Sequence, residues 1–430
     1  QYIAAGHAPQ KIELIVMGGT FMAMPKSYRT RFVRDCFKAM NDFSSLFFKA
    51  RRLDVLRFRE FFELPGDIED EKRARSIRKK ILGARKRRTA SSLSKEQKRN
   101  EKAEIRCVGL TIETRSDYAK QKHADEMLGL GCTRIELGIQ SVYDEALKKM
   151  ERGHTTQDNI DAMRTLKDLG FKVNAHYMPG LFVARKKDLE GMRQLFLDPR
   201  YRPDMLKLYP CMVVKGTKLY DMWKKGRYRP LSTEQAAELI AEFKTAVPRY
   251  CRIMRVQRDI PTYITSAGVD RTNLRQYIDE YMKAHAMRCN CIRCREIGRQ
   301  KEIPKKLSIK ASAYEASEGK ELFISAEGRS CIAGFCRLRF PSQRLRKEIT
   351  HDSALIRELH VYGEAAQIGK SGKVQHTGLG KKLLKKAEEL ASKSGRKKIV
   401  VISGIGVRDY YRKLGYKKQG PYMVKRLGER

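Results

Sequence analysis

Short runs of apolar and β-branched residues recur along the first 256 residues, and stretches of helical period separate most of them. The runs Ile12–Val16, Cys107–Glu113, Arg134–Gly138, Lys172–Met178, Met205–Tyr209 and Arg252–Val256 read as buried strands. Asp158–Leu169 and Thr233–Val247 carry the spacing of amphipathic helices. Alternation of this kind predicts a parallel sheet with helices outside it, barrel-like or doubly wound. Ligands bind such folds at the carboxyl ends of the strands. Polar or glycine-rich residues stand there: Gly18-Gly19-Thr20, Glu113-Thr114-Arg115, Gln140-Ser141 and His176.

The pattern stops around residues 285–305. Beyond Pro304, strands are predicted at Leu322–Ala326, Ala333–Arg339 and Ala354–Val361. A helix follows at Gly380–Ser392, then a strand at Ile399–Ser403 and a helix near Arg408–Leu414. This is a second, α+β domain. The expected division is 1–256, a linker at 257–305, and 306–430.

Composition narrows the partners. The 430 residues carry 91 Lys and Arg against 50 Asp and Glu, a net charge of +41, with pI near 10.0. That excess suits a polyanion, because each neutralised phosphate releases a counterion. A hydrophobic fraction of 41% excludes wholesale disorder. No apolar run approaches the ~20 residues that span a bilayer, so no membrane partner is expected. Residues 71–106 are the most basic stretch, with 15 Lys and Arg against 4 Asp and Glu. They read as a phosphate-tracking arm, with Arg85, Lys86, Arg87 and Arg88 as its densest run, or as a solvated surface.

The most specific motif is Gln375-His376-Thr377-Gly378-Leu379-Gly380-Lys381-Lys382, directly before an amphipathic helix. Glycines admit a pyrophosphate close to the backbone, and the free N–H groups of a helix N-terminus donate to its oxygens. The order of residues resembles the pyrophosphate loop of the GNAT acetyltransferase superfamily. Arg408-Asp409-Tyr410-Tyr411-Arg412-Lys413-Leu414-Gly415-Tyr416 resembles that superfamily's closing element. A tyrosine there, Tyr410 or Tyr411, can protonate a departing thiolate or hydrogen-bond the thioester.

Met17-Gly18-Gly19-Thr20-Phe21-Met22, Gly109 to Arg115, Glu136 to Ser141 and Ala175 to Pro179 follow successive strands. In that order they resemble the S-adenosylmethionine-facing edges of a radical-SAM partial barrel of (βα)6 type. Taken with Arg357-Glu358-Leu359-His360-Val361-Tyr362-Gly363 and Gln419 to Met423, the chain resembles the catalytic subunit of Elongator in its stand-alone archaeal form. The resemblance covers nearly the whole sequence.

It implies a transferase acting in the cytoplasm on the wobble uridine of a tRNA anticodon stem-loop. Reductive cleavage of S-adenosylmethionine at a [4Fe-4S] cluster would activate the methyl group of acetyl-CoA. The acetyl-derived carbon would add to carbon 5 of the uracil, and thioester hydrolysis would leave a carboxymethyl group. By motif position, Gly18, Gly19, Thr20, Glu113, Gln140 and His176 would face S-adenosylmethionine. Lys11, Glu358, Leu359, His360, Val361, Gly378, Leu379, Gly380, Lys381 and Tyr411 would touch acetyl-CoA, with Tyr410, Tyr411 and His360 nearest the chemistry. The family's cluster cysteines and a first strand are expected upstream of Gln1. Oligomeric state stays open, a homodimer included.

Ten cysteines without a disulfide-like framework suit a reducing compartment. Cys36, Cys107 and Cys132 read as buried structural thiols. Cys289-x-Cys291-x-x-Cys294 has spacing suited to structural Zn²⁺, with His285, Cys211 or Cys251 as fourth ligand. Two other functions compete: a protein lysine acetyltransferase using the second domain alone, and a tRNA-binding scaffold. Against the acetyltransferase, a charge of +41 would repel basic protein tails.

Overall fold

The computed structural model describes residues 2–7, 9–86, 91–258, 260–300, 304, 306–362 and 378–428. Two compact units are present, each discontinuous in sequence. One comprises Gln1–Ile15, Met24–Leu110 and Ser403–Gly415, the other Val16–Ala23, Thr111–Ile402 and Tyr416–Arg430.

The first unit contains most of β1 (Lys11–Val16), helices α1 (Lys26–Phe47), α2 (Glu71–Lys86) and α3 (Leu93–Asn100), and the first half of β2 (Arg106–Thr114). A polar ladder ties α1 to α3 and to β2. The amide of Asn41 donates to the Glu96 carboxylate at 2.8 Å, and that of Asn100 donates to Asn41 Oδ1 at 2.9 Å. Asn100 Oδ1 accepts from the Cys107 N–H at 2.8 Å. Each of these buried groups is satisfied, so the ladder fixes register rather than costing desolvation. The segment 403–406 runs close against β2. A Cβ on Gly404 would lie 2.0 Å from the Val108 carbonyl oxygen, and one on Gly406 would lie 2.6 Å from Arg106 Cβ. Arg408 and Arg412 then share Glu101, at 3.0 and 2.6 Å.

The basic segment is therefore not one exposed arm, as its charge suggested. Its second half is α3, whose Glu96 and Asn100 are buried against α1. Only α2 keeps the solvated character expected of the whole.

In the second unit the latter half of β2 is followed by β3 (Arg134–Gln140), β4 (Lys172–Tyr177), β5 (Met205–Leu208) and β6 (Arg252–Arg255). They pair in chain order and all in parallel. Helices Gln121–Leu130, Thr156–Asp168, Arg185–Leu197 and Thr233–Thr245 connect them. Two of these start on capping boxes, Thr155 with Asp158 and Ser232 with Gln235, which satisfy their first N–H groups reciprocally. The parallel sheet with connecting helices expected from the sequence is thus observed.

A second sheet is formed by β7 (Ser308–Ala316), β8 (Gly319–Glu327), β9 (Ile332–Phe340), β10 (Ser353–Val361), β11 (Lys398–Val401), β12 (Lys417–Gln419) and β13 (Tyr422–Arg426). Its order is β7-β8-β9-β10-β11-β13-β12. Every pair is antiparallel except β10 with β11. A parallel pair needs a crossover, and α4 (Leu379–Lys393) lies between its two strands in sequence.

The two sheets of this unit meet through buried charge. From β9 and β10, Arg337, Arg339 and Arg357 are fully buried. Arg339 pairs with Asp168 at 2.6 Å and Glu321 at 3.0 Å, and Arg337 with Glu358 at 2.9 Å. Arg357 takes both oxygens of Asp204. With Lys167 buried beside them, cations Lys167, Arg337, Arg339 and Arg357 balance anions Asp168, Asp204, Glu321 and Glu358. Burial and the neighbouring guanidinium groups push the Lys167 ammonium down to about 8, although Asp204 and Glu321 oppose the shift.

Candidate cofactor sites

The carboxyl ends of the barrel strands assemble a polar mouth. Gly18 and Gly19 take φ of +100° and +63°, left-handed values that suit glycine. Nothing lies within 4 Å of where either Cβ would stand. The Gly18 N–H donates to Glu113 Oε2 at 3.3 Å. Glu113 Oε1 stands 3.7 Å from His176 Nδ1, and the other ring nitrogen, Nε2, is 3.1 Å from Glu136 Oε2. Lys207 Nζ also donates to Glu136 Oε2, and the Asn174 amide donates to Oε1 at 3.3 Å. Burial would raise the Glu136 carboxyl, but His176 and Lys207 hold it down at about 2. Gln140 ends β3 with φ +63°, and the ring of Tyr209 meets His176 edge-on at 5.3 Å.

Of the expected residues, Gly18, Glu113 and His176 are drawn together here. Gly19 and Thr20 adjoin them in sequence, and Gln140 closes the neighbouring strand. Glu136 and Lys207 were missed as site residues. Their signal was present: β3 places Arg134 and Glu136, and β5 places Lys207, inside otherwise apolar runs.

The second constellation surrounds β10. Its parallel register with β11 ends at Ile356–Val401, while β10 continues to Val361 beside β9. Glu358, Leu359, His360 and Val361 occupy that extension. The Glu358 side chain is committed to Arg337, whose guanidinium keeps the carboxyl low against the effect of burial. The His360 ring packs on Tyr362 at 4.4 Å, and Tyr362 Oη accepts from Arg252 at 2.9 Å. Gly378 precedes α4 with φ +85°, and Leu379, Gly380 and Lys381 form the first turn. Gln375, His376 and Thr377 lie outside the described residues.

Three residues fall in the other unit. Lys11 opens β1, and Tyr410 and Tyr411 sit on the short helix Arg408–Arg412 with ring centroids 5.3 Å apart. Of the basic run, Arg85 is exposed on α2, 4.0 Å from Asp35. Lys86 ends that helix, and Arg87 and Arg88 lie outside the described residues.

Cys289, Cys291 and Cys294 bring their sulfurs within 4.8 Å of one another. Hydrogen bonds from the other two draw the Cys291 thiol well down. None of the anticipated fourth ligands joins them among the described residues. His285 Nδ1 faces the Tyr281 carbonyl oxygen at 2.9 Å. Cys211 belongs to an apolar cluster with Leu181, Val213 and Tyr228. Cys251 is fully buried just before β6, and its carbonyl accepts from the Ile292 N–H. The trio thus lies at the amino end of β6, whereas Glu113 and His176 stand at or near carboxyl ends. Cys107 and Cys132 are buried, with thiols pushed up to about 12 by that burial, and Cys36 is half-buried.

Comparison with known proteins settles the family. The Radical SAM superfamily model matches residues 64–196, a Radical_SAM C-terminal domain 203–284, and a GNAT acetyltransferase domain 371–426. The tRNA uridine(34) acetyltransferase of Methanocaldococcus jannaschii is 42% identical over 98% of this chain and 72% of its own length. Elongator complex protein 3 of Saccharomyces cerevisiae is 38% identical over 98% of this chain and 70% of its own. The chain belongs to the Elongator complex protein 3 family. A solved Elongator protein 3 from Methanocaldococcus infernus, with N-terminal residues 1–46 deleted, superposes with a TM-score of 0.85. It is 40% identical over 99% of this chain and 92% of that one.

Radical SAM membership implies S-adenosylmethionine and a [4Fe-4S] cluster, and the GNAT domain implies acetyl-CoA. The residues present fit both small molecules. S-adenosylmethionine carries an ammonium and a sulfonium, and the mouth offers the Glu113 carboxylate beside open glycine backbone. Asn174 Oδ1, buried two residues before His176, has no hydrogen-bond partner among the described residues. A diphosphate fits the N-terminus of α4, which has no acidic residue in its first turn and presents Lys381. Among the described residues no helix is long and apolar enough to cross a membrane.

Proposed function

We propose that this chain modifies carbon 5 of the wobble uridine of tRNA, taking the added carbons from acetyl-CoA. The observation carrying this reading is the union of a radical-SAM barrel and a GNAT domain on one chain, 42% identical over 98% of its length to a protein named for that uridine. S-adenosylmethionine and its cluster would supply the radical that activates the acetyl group. Glu113, Gly18, Gly19, Thr20, Gln140 and His176 would bind and orient the adenosyl compound. The first turn of α4, with Gly378, would neutralise the diphosphate, and backbone groups of Glu358 to Val361 would align the thioester arm. Lys11, His360, Tyr410 and Tyr411 are the candidates for positioning the acetyl group and protonating the thiolate. The anticodon stem-loop would meet the basic face that includes Arg85.

The sulfur trio supports a structural zinc ion. Its distance along β6 from the adenosyl-binding mouth speaks against service as the radical cluster, and thiolates suit a soft tetrahedral ion. Arg275 and Lys244 lie within electrostatic reach and favour the ionised sulfurs.

Acetyl-CoA hydrolysis with and without tRNA tests the reading. Stimulation by tRNA is the expected result. Acetylation of lysine peptides with no response to tRNA would replace it with a protein acetyltransferase, and absence of both would leave a scaffold.

A further inference from the structure

The hydrogen-bond inventory of the barrel mouth restricts what His176 can do. Glu136 is flanked by an ammonium, an amide and an imidazole, and at neutral pH it is a carboxylate, which only accepts. Lys207 and the Asn174 amide nitrogen only donate. At 3.1 Å from an oxygen of that carboxylate, His176 Nε2 must therefore be the protonated nitrogen. In a neutral ring Nδ1 is then an acceptor. It faces Glu113 Oε1, a second acceptor, at 3.7 Å, beyond a direct hydrogen bond. Two acceptors so arranged call for a donor reaching both. His176 and Lys207 are only 3% exposed, whereas the Glu113 side chain is 29% exposed, so the inner partners are shielded and the pair of acceptors opens outward on the Glu113 side.

We infer that Lys207 and Glu136 are positioning residues: they lock His176 with Nε2 protonated, so that Nδ1 and Glu113 together accept from an N–H or O–H donor of S-adenosylmethionine. Lys207 has a distinct part. Its ammonium keeps Glu136 anionic inside the barrel, and without it a buried carboxylate would seek a proton and become a competing donor toward Nε2. The ring plane is set by the same partners, with Tyr209 against one edge. This inference rests on the reading that the mouth takes S-adenosylmethionine, but the tautomer itself does not.

The test therefore has two arms on the full chain. Imidazole ¹⁵N labelling reports each histidine's tautomer among the eight present, and loss of one signal in His176→Gln assigns the residue. The wild type should show the Nε2–H form at neutral pH. Glu136→Gln preserves shape but lets an amide donate to Nε2, and should invert or mix the tautomers. In the second arm, calorimetric affinity for S-adenosylmethionine should fall by about tenfold in Glu136→Gln, the value of one hydrogen bond. It should fall similarly in Lys207→Met and recover in Lys207→Arg, with urea midpoints recorded for each. A merely structural role would not move the tautomer of a folded variant. An Nδ1–H or doubly protonated His176 in the wild type overturns the inference whatever the variants do. A wild-type tautomer as expected, with affinity unchanged in Glu136→Gln, overturns the ligand-binding half and places the adenosyl compound elsewhere.

Discussion

Arg357 on β10 grips Asp204, the residue before β5, with one terminal nitrogen on each carboxylate oxygen, at 2.7 and 2.5 Å. Asp204 in turn accepts from the Val173 N–H at 2.9 Å and so fixes the amino end of β4. A single buried carboxylate thus joins the GNAT sheet to two barrel strands. The energetic consequence is asymmetric. Replacing both partners by apolar groups can be nearly neutral, whereas removing one leaves an unpaired buried charge. Asp204→Leu should cost roughly 3–5 kcal/mol and Arg357→Met a similar amount. The double variant should be more stable than the sum of the two losses. Urea unfolding of all four forms checks this; strict additivity would mean that the two residues act independently.

Asp188 gives a pH dependence of unusual sign. Burial raises its carboxyl to about 6, although the Tyr177 hydroxyl and the Gly180 N–H both donate to it and pull the other way. An acid whose folded pKa lies above its unfolded value of 3.8 binds more protons when folded. Its stabilising contribution is complete below the unfolded pKa and is lost as pH rises toward 6. Asp188→Asn mimics the protonated form. Its stability relative to wild type should therefore grow between pH 4 and 6 by up to roughly 3 kcal/mol, at about 1.4 per pKa unit, then level off. A constant difference across that range would show that the carboxyl is not raised.

The elements legible in the sequence were those whose burial imposed a period. All six barrel strands, from Lys11–Val16 to Arg252–Arg255, were placed to within two residues: Arg134–Gln140 is buried at every position and selects apolar residues, whereas Lys11–Val16 alternates exposed with half-buried positions. Ser308–Ala316 was missed for the opposite reason: it is an edge strand, exposed along most of its length, and its composition is that of a loop. The segment between the first two strands gave charge but no architecture. Its order depends on Asn41 reaching Glu96, 55 positions away, which no local pattern encodes. In the site, glycines and terminal polar residues were visible because of where they follow strands. Glu136 and Lys207 were not, since their partnership is created only by the register that sets His176 beside Lys207.

The thiol trio makes a direct prediction. Metal analysis of the purified chain should find close to one zinc ion, and Cys291→Ser, altering the most buried of the three, should lose it. Because a structural zinc contributes its binding energy to folding, thermal stability should fall in that variant and respond to chelator in the wild type. Iron in place of zinc, with the charge-transfer absorption of a cluster, would reassign the trio.

The basic helix α2 carries the prediction that bears most directly on substrate. Glu71 to Lys86 is a helix rich in cations, and Arg85 projects from it with 74% of its side chain exposed. Its ion pair to Asp35, at 4.0 Å, is long and solvent-screened, so the guanidinium can be recruited by a phosphate at little cost. On the proposed function, charge reversal of Arg85, Lys86, Arg87 and Arg88 to Glu should weaken binding to all tRNAs alike. Phosphate contacts carry affinity and register but little sequence information, so preference among tRNAs should persist. The slope of log K against log salt should become shallower by roughly 0.7 to 0.9 for each phosphate that is no longer neutralised. Acetyl-CoA affinity in the absence of tRNA should not change, because the first turn of α4 is untouched, while tRNA-stimulated hydrolysis should fall. The buried ladder from Asn41 through Asn100 is built from α1, α3 and the start of β2, and urea midpoints of the variant show whether its fold is kept. Salt titration of tRNA binding decides the matter. An unchanged slope with unchanged affinity would make α2 an ordinary solvated surface and move the RNA site to another face of the chain.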